Sequence, residues 1–220
     1  MSTPATEAFG FVHRFEPAVP DENGSGLTIL ALHGTGGNED DMLPLARMLA
    51  PGAAVLSPRG QVSEHGAPRF FRRLAEGVFD LADLAVRTEA LAAFVDGASG
   101  HYGLDRGRVV AVGFSNGANV AASLLLRRPG AFAGALLLRA MVPFEPDAPV
   151  PASAVRPLVT IASGTMDPLV PRANAERLGA LLRAAGCDAT VEWLPAGHQL
   201  TQRDVALGRE LVGRLERPAS

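Results

Sequence analysis

Residues 113–117 read Gly-Phe-Ser-Asn-Gly, a pentapeptide in which one serine is flanked on both sides at the same spacing by glycine. The pentapeptide follows an apolar run at 109–114 and precedes a stretch with helical spacing at 116–128. A serine on such a strand-to-helix turn is held in a strained backbone conformation, with its hydroxyl projecting above a sheet. This context favours Ser115 as a nucleophile over the alternative of a capping serine in a glycine-rich turn.

A base must lie within hydrogen-bond reach of a nucleophilic serine, and an imidazole can accept and return a proton at neutral pH. Of the five histidines, His198 comes directly after the last apolar run and before the final helical stretch. It also follows Ser115 in the chain, which matches the order serine, acid, histidine. We therefore predict His198 as the base, the alternative being a surface-loop histidine without a catalytic role.

The carboxylate that orients such an imidazole should lie between serine and histidine, at the end of a strand. Asp167 fits this requirement because it follows an apolar run at 158–162 and precedes Pro168. Glu145 and Asp147 also lie in the interval, but in a proline-rich stretch ahead of that run. For Asp167 alone an N-cap or Asx-turn role would be commoner. The presence of the serine and the histidine favours the orienting role.

A second glycine-rich loop, His-Gly-Thr-Gly-Gly at 33–37, follows the apolar run at 27–32. Glycines allow the backbone to approach a substrate closely and to direct N–H groups towards it. We predict that the backbone N–H groups of Thr35 and Asn116 stabilise the oxyanion of a tetrahedral intermediate. His33 is expected to connect neighbouring loops through hydrogen bonds. The loop is not followed by a phosphate-binding pattern.

The elements that must position these residues alternate along the chain. Apolar runs of strand length lie at 27–32, 53–56, 109–114, 134–138, 158–162 and 190–194, and stretches with helical spacing lie at 40–50, 81–100, 116–128, 171–185 and 201–215. This alternation predicts an α/β fold with a doubly wound, mostly parallel sheet flanked by helices. Ligands bind such sheets at the carboxyl ends of the strands. Residues 9–15 are expected to add an antiparallel edge strand.

The length and composition of the chain limit its organisation and its partners. With 220 residues, of which 47% are hydrophobic, it is expected to form a single domain over 1–220, with loose tails at about 1–8 and 217–220. Its 20 basic and 23 acidic residues give a formal charge of -3, which indicates no nucleic-acid partner. Because Cys187 is the single cysteine, neither an intramolecular disulfide nor a thiolate metal cluster can form, and we expect no metal.

Targeting signals and membrane segments are not evident in the sequence. The N-terminal residues lack the basic start, apolar core and cleavage site of a secretory signal, and apolar runs fall short of the ~20 residues that span a bilayer. We expect a cytoplasmic protein without membrane insertion.

The motifs at 32–37, at 113–117, at Asp167 and at 196–198 (Ala-Gly-His) together resemble the phospholipase/carboxylesterase family of α/β-hydrolases, which includes acyl-protein thioesterases and small bacterial esterases. Further segments, at 57–60, 70–73, 77–80 and 141–143, look like those of bacterial carboxylesterases related to hydroquinone-resistance hydrolases. The resemblance implies a serine esterase that needs no cofactor, acts on a small-molecule ester and is often a homodimer. Dienelactone hydrolases differ because they carry a cysteine nucleophile.

The short segments between the strands leave no room for a large cap domain, so we predict an open site for small to medium acyl esters. Candidate walls of the substrate pocket are Phe70, Phe71, Phe79, Met141, Val142 and Leu169, with ordinary core packing as the open alternative for each. Arg72 and Arg73 are expected to be solvated rather than to bind an acidic acyl group. An acyl-thioesterase or lysophospholipase using the same residues, and a non-catalytic binding protein of this fold, remain alternative functions.

Overall fold

Strands and helices alternate along the chain in the computed structural model, which describes residues 5–19, 26–148 and 155–217. The elements in chain order are β1 Thr6–Ala8, β2 Phe11–Glu16, β3 Thr28–Leu32, α1 Leu43–Leu49, β4 Ala54–Pro58, β5 Val62–Glu64, β6 Ala67–Arg69, β7 Arg73–Ala75, β8 Val78–Phe79, α2 Leu81–Tyr102, β9 Val109–Phe114, α3 Asn116–Arg127, β10 Gly134–Leu138, β11 Leu158–Gly164, α4 Arg172–Ala184, β12 Asp188–Leu194 and α5 Gln202–Glu216.

One sheet of eight strands, in the order β1-β2-β4-β3-β9-β10-β11-β12, forms the centre of the molecule. The six strands from β4 to β12 in this order pair in parallel, whereas β1 and β2 join antiparallel at one edge. Every residue of β3, β4 and β10 is buried, because helices cover both faces of a parallel sheet. The predicted doubly wound α/β fold without a large cap is confirmed.

Two apolar layers hold the helices against the sheet. Along β10, Leu137 packs into the layer that contains α2, α3 and α4, whereas Leu136 and Leu138 pack into the layer that contains α1 and α5. Successive residues of a strand point to opposite faces, so the continuous apolar runs of the sequence supply both layers at once. Among the described residues, no helix is both long enough and apolar enough to cross a membrane.

The N-terminal edge of the sheet departs from the sequence-based expectation. Residues 1–8 were expected to form a loose tail, but Thr6–Ala8 form β1, while residues 1–4 and 218–220 lie outside the described part. The strand expected at 9–15 is β2, which is antiparallel as predicted but lies between β1 and β4 and is not the edge. Phe9 and Gly10, with φ of 54° and 81°, form the turn that folds β1 back onto β2, and this pairing is what orders the segment.

The connection from β4 to α2 contains two small hairpins, β5-β6 and β7-β8, which the sequence analysis did not predict. Their strands are two or three residues long, too short to give a recognisable alternation of apolar and polar residues. The connection follows the carboxyl end of β4. It therefore lies at the edge of the sheet where the sequence places Ser115, Asp167 and His198.

Candidate active site

Ser115 lies on the turn between β9 and α3 in the strained conformation that its motif predicts, with φ of 51° and ψ of -112°. The turn brings backbone segments into close contact, and the two glycines of the motif make this contact possible. A Cβ added to Gly113 would lie 2.6 Å from the backbone nitrogen of Ala118, and one added to Gly117 would lie 2.3 Å from the carbonyl oxygen of Leu32. Both positions therefore require glycine for steric reasons.

Ser115, His198 and Asp167 form one hydrogen-bonded line. The hydroxyl Oγ of Ser115 lies 3.0 Å from His198 Nε2, and His198 Nδ1 lies 2.8 Å from Asp167 Oδ2. The Asp167 side chain is fully buried, whereas that of His198 is 23% exposed. An ionised carboxylate can only accept, so Asp167 keeps the imidazole proton on Nδ1 and leaves Nε2 free to accept the serine proton.

The two oxygens of Asp167 make different contacts. While Oδ2 accepts from His198, Oδ1 accepts from the backbone N–H groups of Leu169 at 2.8 Å and Val170 at 3.2 Å. The Asx-turn role, the alternative for Asp167, is therefore present together with the contact to the imidazole. The turn fixes the carboxylate, because it uses the oxygen that the histidine does not.

The other nucleophile and base candidates in the described residues do not face this line. His13 is fully buried, where its Nδ1 donates to the carbonyl of Phe11 and its Nε2 accepts from the hydroxyl of Tyr102. Burial raises the pKa of the Cys187 thiol to about 11, so this cysteine is protonated at neutral pH and is not a nucleophile.

The loop that carries His198 is fixed by Arg139, a residue that the sequence analysis missed. The Arg139 side chain is fully buried and pairs with both carboxylate oxygens of Asp204, at 2.8 and 2.9 Å. It also donates to the carbonyl oxygens of Gly197 at 3.1 Å and Gln199 at 2.8 Å, which flank the histidine. Arg139 has a left-handed φ of 57°, a strained conformation that these bonds hold in place.

His33 connects the loop at 33–37 to a neighbouring loop through hydrogen bonds, as expected from the sequence. The backbone N–H of Gly60 donates to His33 Nε2 at 2.9 Å, and His33 Nδ1 lies 2.6 Å from the carbonyl oxygen of Gly34. Because a backbone N–H can only donate and a carbonyl can only accept, this histidine is neutral with its proton on Nδ1. Burial lowers the pKa of His33, in agreement with the neutral form.

Thr35 and Asn116, the predicted oxyanion donors, both line the cavity that Ser115 and His198 face. Asn116 is the first residue of α3, a position that leaves a backbone N–H without an acceptor in its own helix. Neither Thr35 nor Asn116 donates its backbone N–H to another described residue. Both N–H groups are thus free to donate to a bound ligand.

The cavity has a volume of about 320 Å³, and it separates the predicted wall residues into two groups. Phe79, Met141 and Leu169, three of the residues proposed for the substrate pocket, line the cavity. Phe70, Phe71 and Val142 do not belong to its wall, so the prediction for these three is wrong.

The three residues that are absent from the wall make other contacts. The backbone N–H of Phe70 donates to the Asn116 side chain at 2.7 Å, and its ring packs against His33. Phe71 is fully buried behind Phe79, with the two rings perpendicular and their centroids 5.1 Å apart. Val142 packs against the core.

Three buried polar residues of the cavity wall, Arg69, Asn119 and Arg139, were missed by sequence reasoning. Asn119 lies one helical turn after Ser115, a spacing that puts both on the same side of a helix and could have identified it. Arg69 and Arg139 showed no comparable signal. Arg72, expected to be solvated, is 61% exposed. The same expectation for Arg73 is wrong, because Arg73 is 27% exposed, pairs with Glu64 and Glu76 and lines the cavity.

Comparisons with known proteins identify a family and several relatives that this chain resembles. A family model described as phospholipase/carboxylesterase matches residues 79–210, an interval that includes Ser115, Asp167 and His198. The putative hydrolase MhqD of Bacillus subtilis (strain 168) is 46% identical over 198 residues, covering 90% of this chain and 96% of that protein.

Two solved structures extend the comparison. A carboxylesterase of Bacillus cereus is 44% identical, with a TM-score of 0.86 and coverage of 93% of this chain and 94% of that chain. A carboxylesterase of Mesorhizobium loti is 29% identical, with a TM-score of 0.87 and coverage of 97% and 99%. The similarity thus extends over nearly the whole length of all these chains.

Proposed function

The chain belongs to the phospholipase/carboxylesterase family of hydrolases, and on this premise we propose that it hydrolyses carboxylic esters of small to medium size through an acyl-enzyme on Ser115. The observation that supports the proposal most directly is the line from Ser115 Oγ through His198 to Asp167, with distances of 3.0 and 2.8 Å. Ser115 and His198 also line a single cavity. A hydroxyl, a base and an orienting carboxylate in this order are the requirements of acyl transfer.

In the first half of the reaction, Ser115 Oγ attacks the ester carbonyl while its proton passes to His198 Nε2. The buried carboxylate of Asp167 stabilises the imidazolium that forms. His198 then returns the proton to the departing alcohol oxygen as the carbonyl–oxygen bond breaks. The acyl group remains on Ser115.

In the second half, a water molecule gives a proton to His198 Nε2 and attacks the acyl carbonyl. Collapse of the second tetrahedral intermediate breaks the bond to Ser115 Oγ, which recovers its proton from the imidazole. The backbone N–H groups of Thr35 and Asn116 donate to the oxyanion in both halves. One such donor contributes roughly 3–4 kcal/mol of transition-state stabilisation in serine hydrolases.

The volume of the cavity supports the proposed size of the substrate. A volume of about 320 Å³ lies at the lower end of the range of roughly 300–1,000 Å³ that small-molecule sites occupy. Thioesters and lysophospholipids would react through the same oxyanion, so the catalytic geometry by itself does not distinguish them. Rates on short p-nitrophenyl esters, on acyl-CoA and on lysophosphatidylcholine compare the three classes, and we expect the short esters to react fastest.

Replacement of the proposed nucleophile tests the proposal. We expect Ser115→Ala to lower kcat on p-nitrophenyl butyrate by at least about a thousandfold, because no acyl-enzyme can form. Ser63→Ala is the matched control, since Ser63 is exposed on β5. Circular dichroism should show that both variants fold.

A fluorophosphonate probe gives an independent measurement of the same residue. The probe should add its mass to Ser115 in the wild type and in Ser63→Ala, but not in Ser115→Ala. Turnover by Ser115→Ala close to that of the wild type would refute the assignment. A folded wild type that neither reacts with the probe nor hydrolyses any ester would instead support a non-catalytic binding protein.

A further inference from the structure

Arg69 is a buried cation in the cavity wall whose hydrogen-bonding capacity the protein only partly uses. Its side chain is 4% exposed, Nε donates to the carbonyl of Phe71 at 3.1 Å, and Nη1 donates to Thr35 Oγ1 at 2.6 Å. A guanidinium has five N–H donors, so three remain. These three N–H groups meet no acceptor among the described residues. Because Arg69 lines the cavity, they are available to a ligand there.

Asn119 presents a second set of unused donors to the same cavity. Its Oδ1 accepts from the backbone N–H of Met141 at 2.8 Å, and since that group can only donate, the other end of the amide must be the nitrogen. Asn119 is 5% exposed and lines the cavity, and its Nδ2 has no acceptor among the described residues. The wall therefore carries more buried donors than buried acceptors, an imbalance that favours a ligand rich in oxygen acceptors.

One carboxylate already lies beside Arg69, on the Nε side of the guanidinium, but it does not use the remaining donors of Nη1 and Nη2. A carboxylate oxygen of Glu64 lies 3.1 Å from Arg69 Nε but makes no hydrogen bond. The same Glu64 also pairs with Arg73, which in turn pairs with Glu76. Burial lowers the pKa of Arg69, so contact with an anion would offset part of the cost of keeping this cation desolvated. A carboxylate matches the planar fork of a guanidinium with two parallel hydrogen bonds.

We propose that the cavity selects esters that carry a second, ionised carboxylate, which the unused edge of Arg69 binds and to which Asn119 also donates. The proposal rests on the proposed function. Arg69 bonds to the side chain of Thr35, whose backbone N–H is the proposed oxyanion donor, so the proposed carboxylate site and the oxyanion site both adjoin Thr35. The substrate class is therefore an ester that carries a second, ionised carboxylate, either on the acyl group or on the leaving alcohol.

Two pairs of substrates test the preference in the wild type. The first pair compares mono-p-nitrophenyl succinate with p-nitrophenyl butyrate, two esters of equal acyl chain length of which only the succinate carries a carboxylate on the acyl side. The second pair compares 4-carboxyphenyl butyrate with phenyl butyrate, of which only the first carries a carboxylate on the leaving group. We expect kcat/KM to be at least about tenfold higher for the charged member of one pair, the effect expected of a charge-assisted hydrogen bond. Absence of a preference in both pairs would overturn the proposal, whereas failure to hydrolyse any of the four would overturn the proposed function.

Substitution of Arg69 separates recognition from structural support. Loss of the bond to Thr35 should slow charged and neutral esters alike, so the ratio of their kcat/KM values isolates recognition. We expect Arg69→Met to lower this ratio by at least about tenfold. Arg128→Met, which removes an exposed cation outside the cavity wall, is the control for net charge and should leave the ratio unchanged. An equal loss on both substrates in Arg69→Met would assign Arg69 a structural role alone.

A second variant keeps the proposal testable if Arg69→Met does not fold. Asn119→Asp retains the oxygen that accepts from Met141 but replaces the free amide nitrogen by a carboxylate oxygen facing the cavity. We expect this variant to lower the ratio, because the new charge repels the substrate carboxylate. Succinate should also inhibit the wild type more strongly than butyrate does. An unchanged ratio in Asn119→Asp together with equal inhibition by the two acids would refute the proposal.

Discussion

The loop that holds the histidine depends on one buried ion pair, and Arg139→Met tests this dependence. Arg139 and Asp204 have side chains that are 0% and 1% exposed. The substitution keeps an unbranched side chain in the cavity wall but removes every donor. It leaves the carbonyl oxygens of Gly197 and Gln199 without their donor and the carboxylate of Asp204 without its cation.

The expected loss of stability follows from the carboxylate that stays behind. Removing one partner of a buried ion pair typically costs about 3–5 kcal/mol, because the other charge remains buried without compensation. Asp204 keeps two donors from Thr201, its backbone N–H at 2.7 Å and its hydroxyl at 2.8 Å. We therefore expect the lower end of the range, a decrease of about 3 kcal/mol in the free energy of unfolding.

The expected loss of activity follows from the two carbonyl oxygens that flank His198. A hydrogen bond to a charged group contributes about 1.5 kcal/mol or more, and a difference of about 1.4 kcal/mol changes a rate by a factor of ten. If the loss of one such bond lowers the population of the loop conformation in which His198 is aligned with Ser115, kcat falls by about tenfold. The KM for a short neutral ester should change less, since no bond to the ester is removed.

Urea unfolding and steady-state kinetics on p-nitrophenyl butyrate measure the two effects. Arg128→Met is the control, because it breaks an exposed pair with Glu89 and should cost no more than about 1 kcal/mol. The double variant Arg139→Met/Asp204→Leu should be less destabilised than the sum of the single variants, yet kcat should stay low because the loop carbonyls have no donor. A decrease of less than about 1 kcal/mol in Arg139→Met, with kcat unchanged, would refute the assigned role.

Two further substitutions test the backbone around the site. Gly117→Ala should lower the free energy of unfolding by about 1–3 kcal/mol, because the added Cβ would lie 2.3 Å from the Leu32 carbonyl oxygen. Gly100→Ala is the control in the same denaturation assay and should not destabilise the protein, because no atom lies within 4 Å of its added Cβ. Burial lowers the pKa of His33 in the folded protein below its value in the unfolded chain. As the pH falls below about 6.5, the unfolded chain therefore binds a proton before the folded protein does, and the free energy of unfolding should decrease. His33→Gln should reduce this slope between pH 7.5 and 5.5, and an unchanged slope would show that the bond from Gly60 is not the acid-sensitive contact.

Much of the geometry of the candidate site could be predicted from the sequence because its signals are local. An apolar run followed by a glycine-flanked serine and a helical stretch specifies the turn at Ser115, since the steric need for glycine at 113 and 117 is met within a few residues. Asp167 and His198 each follow a strand directly, and parallel strands bring their carboxyl ends to one edge of the sheet. The doubly wound order of the elements therefore implied that these side chains would converge.

The walls of the cavity were decided by the tertiary structure. Phe71 and Phe79 look equivalent in the sequence, but the hairpin β7-β8 directs Phe79 to the cavity and buries Phe71 behind it. Arg139 gains its role from partners 58 to 65 residues away along the chain, and Arg69 from Thr35, 34 residues away. Periodicity reports which face of an element is buried, whereas these contacts depend on how separate loops meet at the sheet edge. Only the folded chain determines which donors are satisfied by the protein and which remain for a ligand.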